Sequence, residues 1–360
     1  MRRIPLVLLC VAVTSCGQAV APEADPTPAI PAVERIGTIG CVACEDVESI
    51  VPVALDVVGD RVFLRDEYEP LIRVFNLAGN LQFTFGKFGE GPGELSPFAT
   101  PVFSTADGQL LAYGLTKLQL FDQEGQYVEA YDWPPRIPMA HQYNAGLNRL
   151  FVLTAPMGAS GIDLEAMEVV AYNPGAAEFG PHVVVPGAGI PMADTEDGRR
   201  PLVGAMAVRG DGQIVLADDE NYRMYWYTPD GEPAGEFGRD LPRPSLTPRE
   251  IERDEEIRVS TGSTQPLLEA APHFGGAGLF FDGADRLWVQ TRRWSGEGMD
   301  RTETIFDVFD PEGAYLGEVL VPVPLSSTRY PVLTVRGDTM VGGYLDDALE
   351  WTVGIWRIVG

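Results

Sequence analysis

The chain has 360 residues, 52 of them acidic and 26 basic, and a net charge of −26. So acidic a surface repels phosphate backbones, which excludes nucleic acid as a partner. The 40 Gly and 30 Pro are spread along the chain, which predicts many turns and few long helices in a chain long enough for one large all-β domain.

Residues 1–15 read as a targeting segment: Arg2 and Arg3 precede an apolar run, 4–13, that is too short to span a bilayer. Val13-Thr14-Ser15-Cys16-Gly17 follows. A small residue directly before a cysteine at that place resembles the lipobox of bacterial lipoproteins, although Val13 stands where that motif usually carries Leu. The resemblance implies cleavage before Cys16 and acylation of its thiol, an anchor strengthened by about 0.8 kcal/mol per buried CH₂. An ordinary secretory leader cut near Ala19 or Ala21 is the alternative. Gly17 is not an inner-membrane retention signal under the usual enteric rule. The expected address is therefore the periplasmic face of the outer membrane or the cell surface, with the lipid as the sole membrane contact. Residues 16–32 are rich in Pro and Ala and lack apolar periodicity, and they read as an extended tether. Loss of Arg2 and Arg3 with the leader takes the charge from −26 to about −28.

Cys41 and Cys44 are then the remaining cysteine pair. A zinc site needs about four ligands, and His141, His182 and His273 are scattered. A c-type haem site needs His after the second Cys, where Glu45 stands. A local disulfide or two free thiols, structural in either case, are the readings for an exported chain.

From residue 33 onward the sequence repeats. Phe75–Gly79 and Phe121–Gly125 are matching turns followed by apolar strands, offset by 121 − 75 = 46 residues. That is the spacing of a propeller blade. A turn before an apolar alternation recurs six times: at Gly59-Asp60, Asp107-Gly108, Ala145-Gly146, Asp211-Gly212, Asp282-Gly283 and Gly337-Asp338. Such dipeptides are hairpin signals, Gly supplying positive φ. A second turn follows in each of five units: 76–79, 122–125, 173–176, 228–231 and 310–313. Each unit is thus four antiparallel strands, and residues 33–360 are predicted to form an all-β, six-bladed propeller. The last unit lacks one strand, which the orphan run 33–40 is expected to supply, closing the ring and removing its free edges.

Between blades, and between second and third strands, the predicted connections are long: 86–97, 133–140, 154–166, 186–200, 239–272, 291–303 and 322–330. These two connection types emerge on one face, and insertions gather where a rigid scaffold carries function. The longest holds a predicted short helix at 245–259, with Thr247 as N-cap, Pro248 at N1 and Glu250 at N3 in a capping-box arrangement. A partial lid and a charged solvated helix are equal readings of it.

The segment 85–98, FGKFGEGPGELSPF, and the segment 210–231, GDGQIVLADDENYRMYWYTPDG, resemble the six-bladed propeller superfamily that includes NHL-repeat and TolB-like proteins. Asp218 and Arg223 match the Asp and Arg positions of an NHL repeat. Asp66 and Arg73 imitate them two residues further apart, and the other blades lack the pair. The resemblance implies that these residues support the blade by hydrogen bonds and ion pairing. As candidate ligand contacts the sequence offers Asp66, Arg73, Asp218, Asp219, Glu220, Asn221 and Arg223. Arg292, Arg293 and Trp294 join them, as groups able to pair with or stack on an anionic or sugar-like ligand.

No P-loop, nucleophile elbow or EF-hand spacing is present. The expected function is a monomeric, non-catalytic, lipid-anchored module that binds an envelope protein, peptide or glycan through its long-loop face, with no cofactor. The alternative resembles the propeller lactonases, with Ca²⁺ held by carboxylates and Asn in the central channel. A structural role in an envelope complex, as in TolB-like propellers, is a third reading.

Overall fold

The computed structural model describes residues 30–40, 50–67, 69, 71–89, 91–95, 102–105, 108–113, 117–132, 136–158, 161–173, 182–195, 198–201, 203–218, 220–261, 273–293, 302–325, 332–346 and 350–360. Six four-stranded antiparallel sheets form six blades of a propeller. Blade 1 is built from Pro52–Val58, Arg61–Asp66, Ile72–Asn76 and Leu81–Phe85, in that order from the axis outward. Blades 2 to 5 repeat this order with inner strands Val102–Ser104, Arg136–Asn144, Val203–Val208 and Phe274–Phe281. Each inner strand contacts the inner strands on both sides of it, with Leu333–Arg336 of blade 6 touching both Phe274–Phe281 and Pro52–Val58. The ring is closed.

Blade 6 takes its fourth strand from the start of the chain. Ala32–Ile39 pairs antiparallel with Trp351–Val359, Ala32 opposite Val359 and Ile39 opposite Val353.

Both faces of each blade are covered by a neighbour, so the strands read as near-continuous apolar runs. Successive side chains still alternate. In blade 1, Val62 and Leu64 enter the seam with blade 6, whereas Phe63 enters the seam with blade 2. Among the described residues six buried clusters occur, one at each seam. Each fully buried Val, Leu or Phe there contributes roughly 1.5–3 kcal/mol, so seam packing is what holds blade to blade.

The turns between third and fourth strands are built alike. Asn76 Oδ1 accepts from the amides of Ala78 and Asn80, both at 3.0 Å. Asp122 does the same for Glu124 and Gln126, at 3.0 and 2.7 Å, and Asp310 for Glu312 and Ala314, at 3.0 and 2.7 Å. Gly79 and Gly231 close two of these turns with φ of +88° and +82°. A Cβ there would also collide with the backbone of the preceding blade's outer strand, at Thr38 and Val184. The glycines thus serve the seam as well as the turn. The fourth strand of the 173–176 unit follows at His182–Val185, and most of that turn lies outside the described residues.

Several expectations are corrected. In the turns after Ala145 and Asp282 the left-handed residues are Asn148 (φ 50°) and Asp285 (φ 59°), not the glycines, since Asn and Asp tolerate this region through their short polar side chains. The stretch 133–140 is mostly strand, because Arg136–Asn144 begins early and pairs with Arg149–Gly158. That partner strand extends into 154–158 and carries a small flap, Gly161–Ile162. The 186–200 loop contains a two-stranded ribbon, Met192–Thr195 with Gly198–Pro201. The expected helix is present: α1 spans Pro248–Thr261 and starts at Pro248, directly after its N-cap Thr247, as read from the sequence. Its start is the capping box: Glu250 N donates to Thr247 Oγ1 at 3.2 Å, and Thr247 N donates to Glu250 Oε2 at 2.8 Å. Thr247 is buried, while Ile251 and Val259 are exposed. Among the side chains described, it is the first turn of α1 that is docked, through Thr247 and Glu250.

Candidate functional site

Antiparallel pairing fixes two unlike faces. Inner strands end in short turns on one face, where the turns between third and fourth strands also lie. Connections between second and third strands, and between blades, emerge on the other. The described part of that second face is richest at the seam of blades 4 and 5, where α1 inserts.

Asp307 sits at the centre of this seam. It lies mid-strand in Thr304–Phe309 and is fully buried. Arg239, from the connection after blade 4, donates to Asp307 Oδ2 at 2.8 Å. Arg293, from the loop after Leu287–Thr291, pairs with Asp307 Oδ1 and also with Glu318. The Tyr222 hydroxyl, from the blade 4 loop, donates to Asp307 Oδ2. Arg239 further stacks over the Tyr315 ring, 3.9 Å from its centroid. Two guanidiniums and a phenol thereby neutralise one buried carboxylate, the condition under which such a charge is tolerated.

The electrostatics follow from burial. Burial first, then the Asp307 charge, pushes the Tyr222 hydroxyl well above its ordinary value, so it stays a donor. Partial burial disfavours the Arg239 cation, but its hydrogen bond to and charge attraction for Asp307 raise it overall. His273 is buried and packs edge-on against Tyr222, ring centroids 5.3 Å apart. Burial and then Arg243 lower its pKa, against an opposing pull from Asp218.

The predicted site residues fall into two groups. Those of blades 4 and 5 lie on the long-loop face, where Arg293 is the predicted residue that reaches Asp307. Asp218 is buried and caps its own loop: Oδ1 accepts from the amides of Glu220 (2.9 Å) and Asn221 (3.1 Å), and Oδ2 from Asn221 Nδ2 (2.7 Å). Arg223 reaches outward to Asp240 at 2.6 Å. Arg292 pairs with Glu250 of the capping box, and its amide donates to His273 O at 2.8 Å. Arg293 is held by Asp307 and Glu318, as above. Asp66 and Arg73 lie apart in blade 1, joined to each other at 3.2 Å, with Arg73 also on Glu69. Cys16, Cys41, Cys44, Asp219 and Trp294 lie outside the described residues.

The sequence reading missed Asp307, Tyr222, Arg239 and Glu318. One signal was available: Asp307 interrupts an otherwise apolar strand, between Phe306 and Val308. A charge at a buried strand position requires partners.

The axis of the ring carries a second polar feature. Arg336 ends the blade 6 inner strand and reaches Asp56 of blade 1 with Nε and Nη2, both at 3.2 Å. Its Nη1 donates to the Tyr143 carbonyl of blade 3, and the guanidinium lies 5.4 Å from that ring's centroid. Arg336 and Tyr143 both adjoin short turns, so this clamp narrows the short-turn end of the channel. His141, on the same wall, is pushed down to about 4 by burial and stays neutral. Among the described residues, no three His, Cys, Asp or Glu side chains converge in a way that holds a metal ion. No helix among them is long and apolar enough to cross a membrane.

No protein-family model matches this chain, and no curated protein does. Solved structures do. A member of the DUF4221 family from Bacteroides vulgatus is 10% identical with a TM-score of 0.51, covering 91% of this chain and 98% of its own. A protein assigned as exported, from Bacteroides fragilis, is 11% identical with a TM-score of 0.50, covering 91% and 96%. Virginiamycin B lyase from Staphylococcus aureus, at 11% identity and a TM-score of 0.40, covers 92% and 100%. At such identities the likeness of the first two is one of fold alone, and that fold is the six-bladed propeller.

Proposed function

We propose that this chain is an exported, lipid-anchored, monomeric propeller that binds an envelope protein, peptide or glycan through its long-loop face without catalysis. The observation that carries the reading is the bracing at the seam of blades 4 and 5. Tyr222, Arg239 and Arg293 converge on Asp307, and Arg292 fastens the first turn of α1 through Glu250. Loops held in one geometry lose less entropy on binding, which is how a preorganised surface gains affinity. The arginines that resembled ligand contacts are the fasteners. The recognition surface is then the outer side of α1 and of the connections around it.

Site-specific photocrosslinking tests this. A benzoylphenylalanine probe is placed at Glu255, exposed on α1, or at Glu124, exposed on a short turn, in the full chain produced in its envelope. A discrete adduct from position 255 and none from 124 is expected. Adducts from 124 alone would refute the reading. A saturable rise in melting temperature specific to Ca²⁺ would favour the cation-dependent hydrolase instead.

A further inference from the structure

We infer that the short-turn face is the membrane-proximal side of this protein and that the long-loop face is presented away from the bilayer. This rests on the lipid-anchor reading of Cys16.

The exit point of the tether carries the argument. Blades 1, 2, 4 and 5 place a short turn between third and fourth strands. In blade 6 that place is taken by Val359-Gly360 and Pro31-Ala32 lying side by side. Ala32 is opposite Val359, and a Cβ on Gly360 would sit 3.5 Å from Pro31 Cα. Two short turns hold this corner: Arg286 Nη1 donates to Gly360 O at 2.7 Å, and Ile358 N donates to Asp338 O at 2.7 Å. Ile30 is seated against Gly317 on the outer strand of blade 5, where any Cβ would collide with it. Whatever precedes Ile30 therefore leaves from the short-turn edge.

Length decides how far the domain can turn. The roughly 14 residues between Cys16 and Ile30 span about 43 Å as polyproline II and about 21 Å r.m.s. as coil. A domain of ~330 residues has a radius of gyration of about 20 Å, hence a width of about 50 Å. Turning the far face to the lipid would draw such a segment well past its r.m.s. length around the rim of the domain, at the cost of its conformational freedom. The exit edge therefore stays the nearer one.

Charge sets the standoff. Asp60, Glu124, Asp230, Asp285, Glu312 and Asp338 are exposed at the tips of the short turns. The neighbouring Arg209 and Arg286 are engaged by Asp211 and Asp282. An anionic leaflet repels such a face within a Debye length of about 8 Å at physiological salt and about 30 Å at 0.01 M. The ring is thus held near the membrane by its tether and kept off the headgroups by its turns. The partner of the long-loop face is one that approaches from the aqueous side, not a lipid headgroup.

Energy transfer from the lipidated full chain in phosphatidylethanolamine–phosphatidylglycerol vesicles, with a headgroup-labelled acceptor, tests the orientation. The donor is attached through azidophenylalanine at Asp230 or at Glu256 on α1, both exposed. Transfer from position 230 is expected to be at least twofold higher and to increase with salt. Insertion of a long Gly-Ser segment into the tether should erase the difference. Equal transfer, or greater transfer from 256, with vesicle flotation intact overturns the orientation alone. Flotation that Cys16→Ala leaves unchanged overturns the anchor reading and the orientation with it.

Discussion

Blades 1 and 4 carry the same signature, an aspartate ending the second strand and an arginine near the start of the third, and fold it in two ways. In blade 1 the pair closes on itself, Arg73 to Asp66 at 3.2 Å. In blade 4 Asp218 and Arg223 are directly opposite in register, yet Asp218 turns into the loop and Arg223 leaves for Asp240. The loop between them is two residues shorter, and its amides need an acceptor that the aspartate supplies. Capping the loop in this way places Tyr222 at φ 53°, and its side chain crosses the seam to Asp307. A two-residue difference in loop length converts a local ion pair into an anchor between blades.

The largest test cuts that anchor. Asp307→Asn keeps the shape but removes the charge that Arg239 and Arg293 share. Breaking a buried pair costs 3–5 kcal/mol; the arginines are 22% and 25% exposed and relax toward water, so we expect about 3 kcal/mol. The urea midpoint should fall with an unchanged slope. A loss below about 1 kcal/mol would mean that the blade 4 loop is not held from blade 5.

The next test measures the comparison itself. Asp218→Ala leaves two loop amides and the Asn221 amide without their acceptor and should cost about 2 kcal/mol. Asp66 is buried too, but its partner Arg73 keeps a second acceptor in Glu69, so Asp66→Ala should cost less, about 1 kcal/mol. Double-mutant cycles separate the two designs. Asp66 with Arg73 should couple by about 0.5–1 kcal/mol, and Asp218 with Arg223 by about zero. Equal coupling in both blades would erase the distinction.

The ring was largely legible in the sequence, because its signals are local. Asp122 and Gly125 mark a turn wherever they stand, and Thr247, Pro248 and Glu250 announce the first turn of α1 before anything is folded. The site was not, because its partners are remote. Asp307 and Tyr222 are 85 residues apart, and no spacing links them. Arg292 and Arg293 were legible as clustered cations, but whether a cation faces a ligand or a buried carboxylate is decided across a seam. The strand start at Arg136 escaped the reading for another reason. Pro134, Pro135 and Pro138 signal a loop, yet Pro138 sits at a register shift, where a strand tolerates it.

The smallest expected effect reads the blade 4 design from inside. His273 is buried against Tyr222, with Arg243 disfavouring its protonation and Asp218 favouring it. Its folded-state pKa lies below the ordinary 6.5, so the unfolded chain binds the proton more readily. The contribution to stability is complete above the free-histidine value and is lost as pH falls through the folded-state value. By linkage that loss cannot exceed about 1 kcal/mol at pH 6. A labelled-histidine NMR titration should show His273 below the free value. Asp218→Asn should lower it further by removing the favourable charge, whereas Asp66→Asn, in the other blade, should leave it where it was. Were Asp218→Asn to raise it, the capping carboxylate would not be facing the imidazole, and the link from loop to seam would have to run through Tyr222 alone.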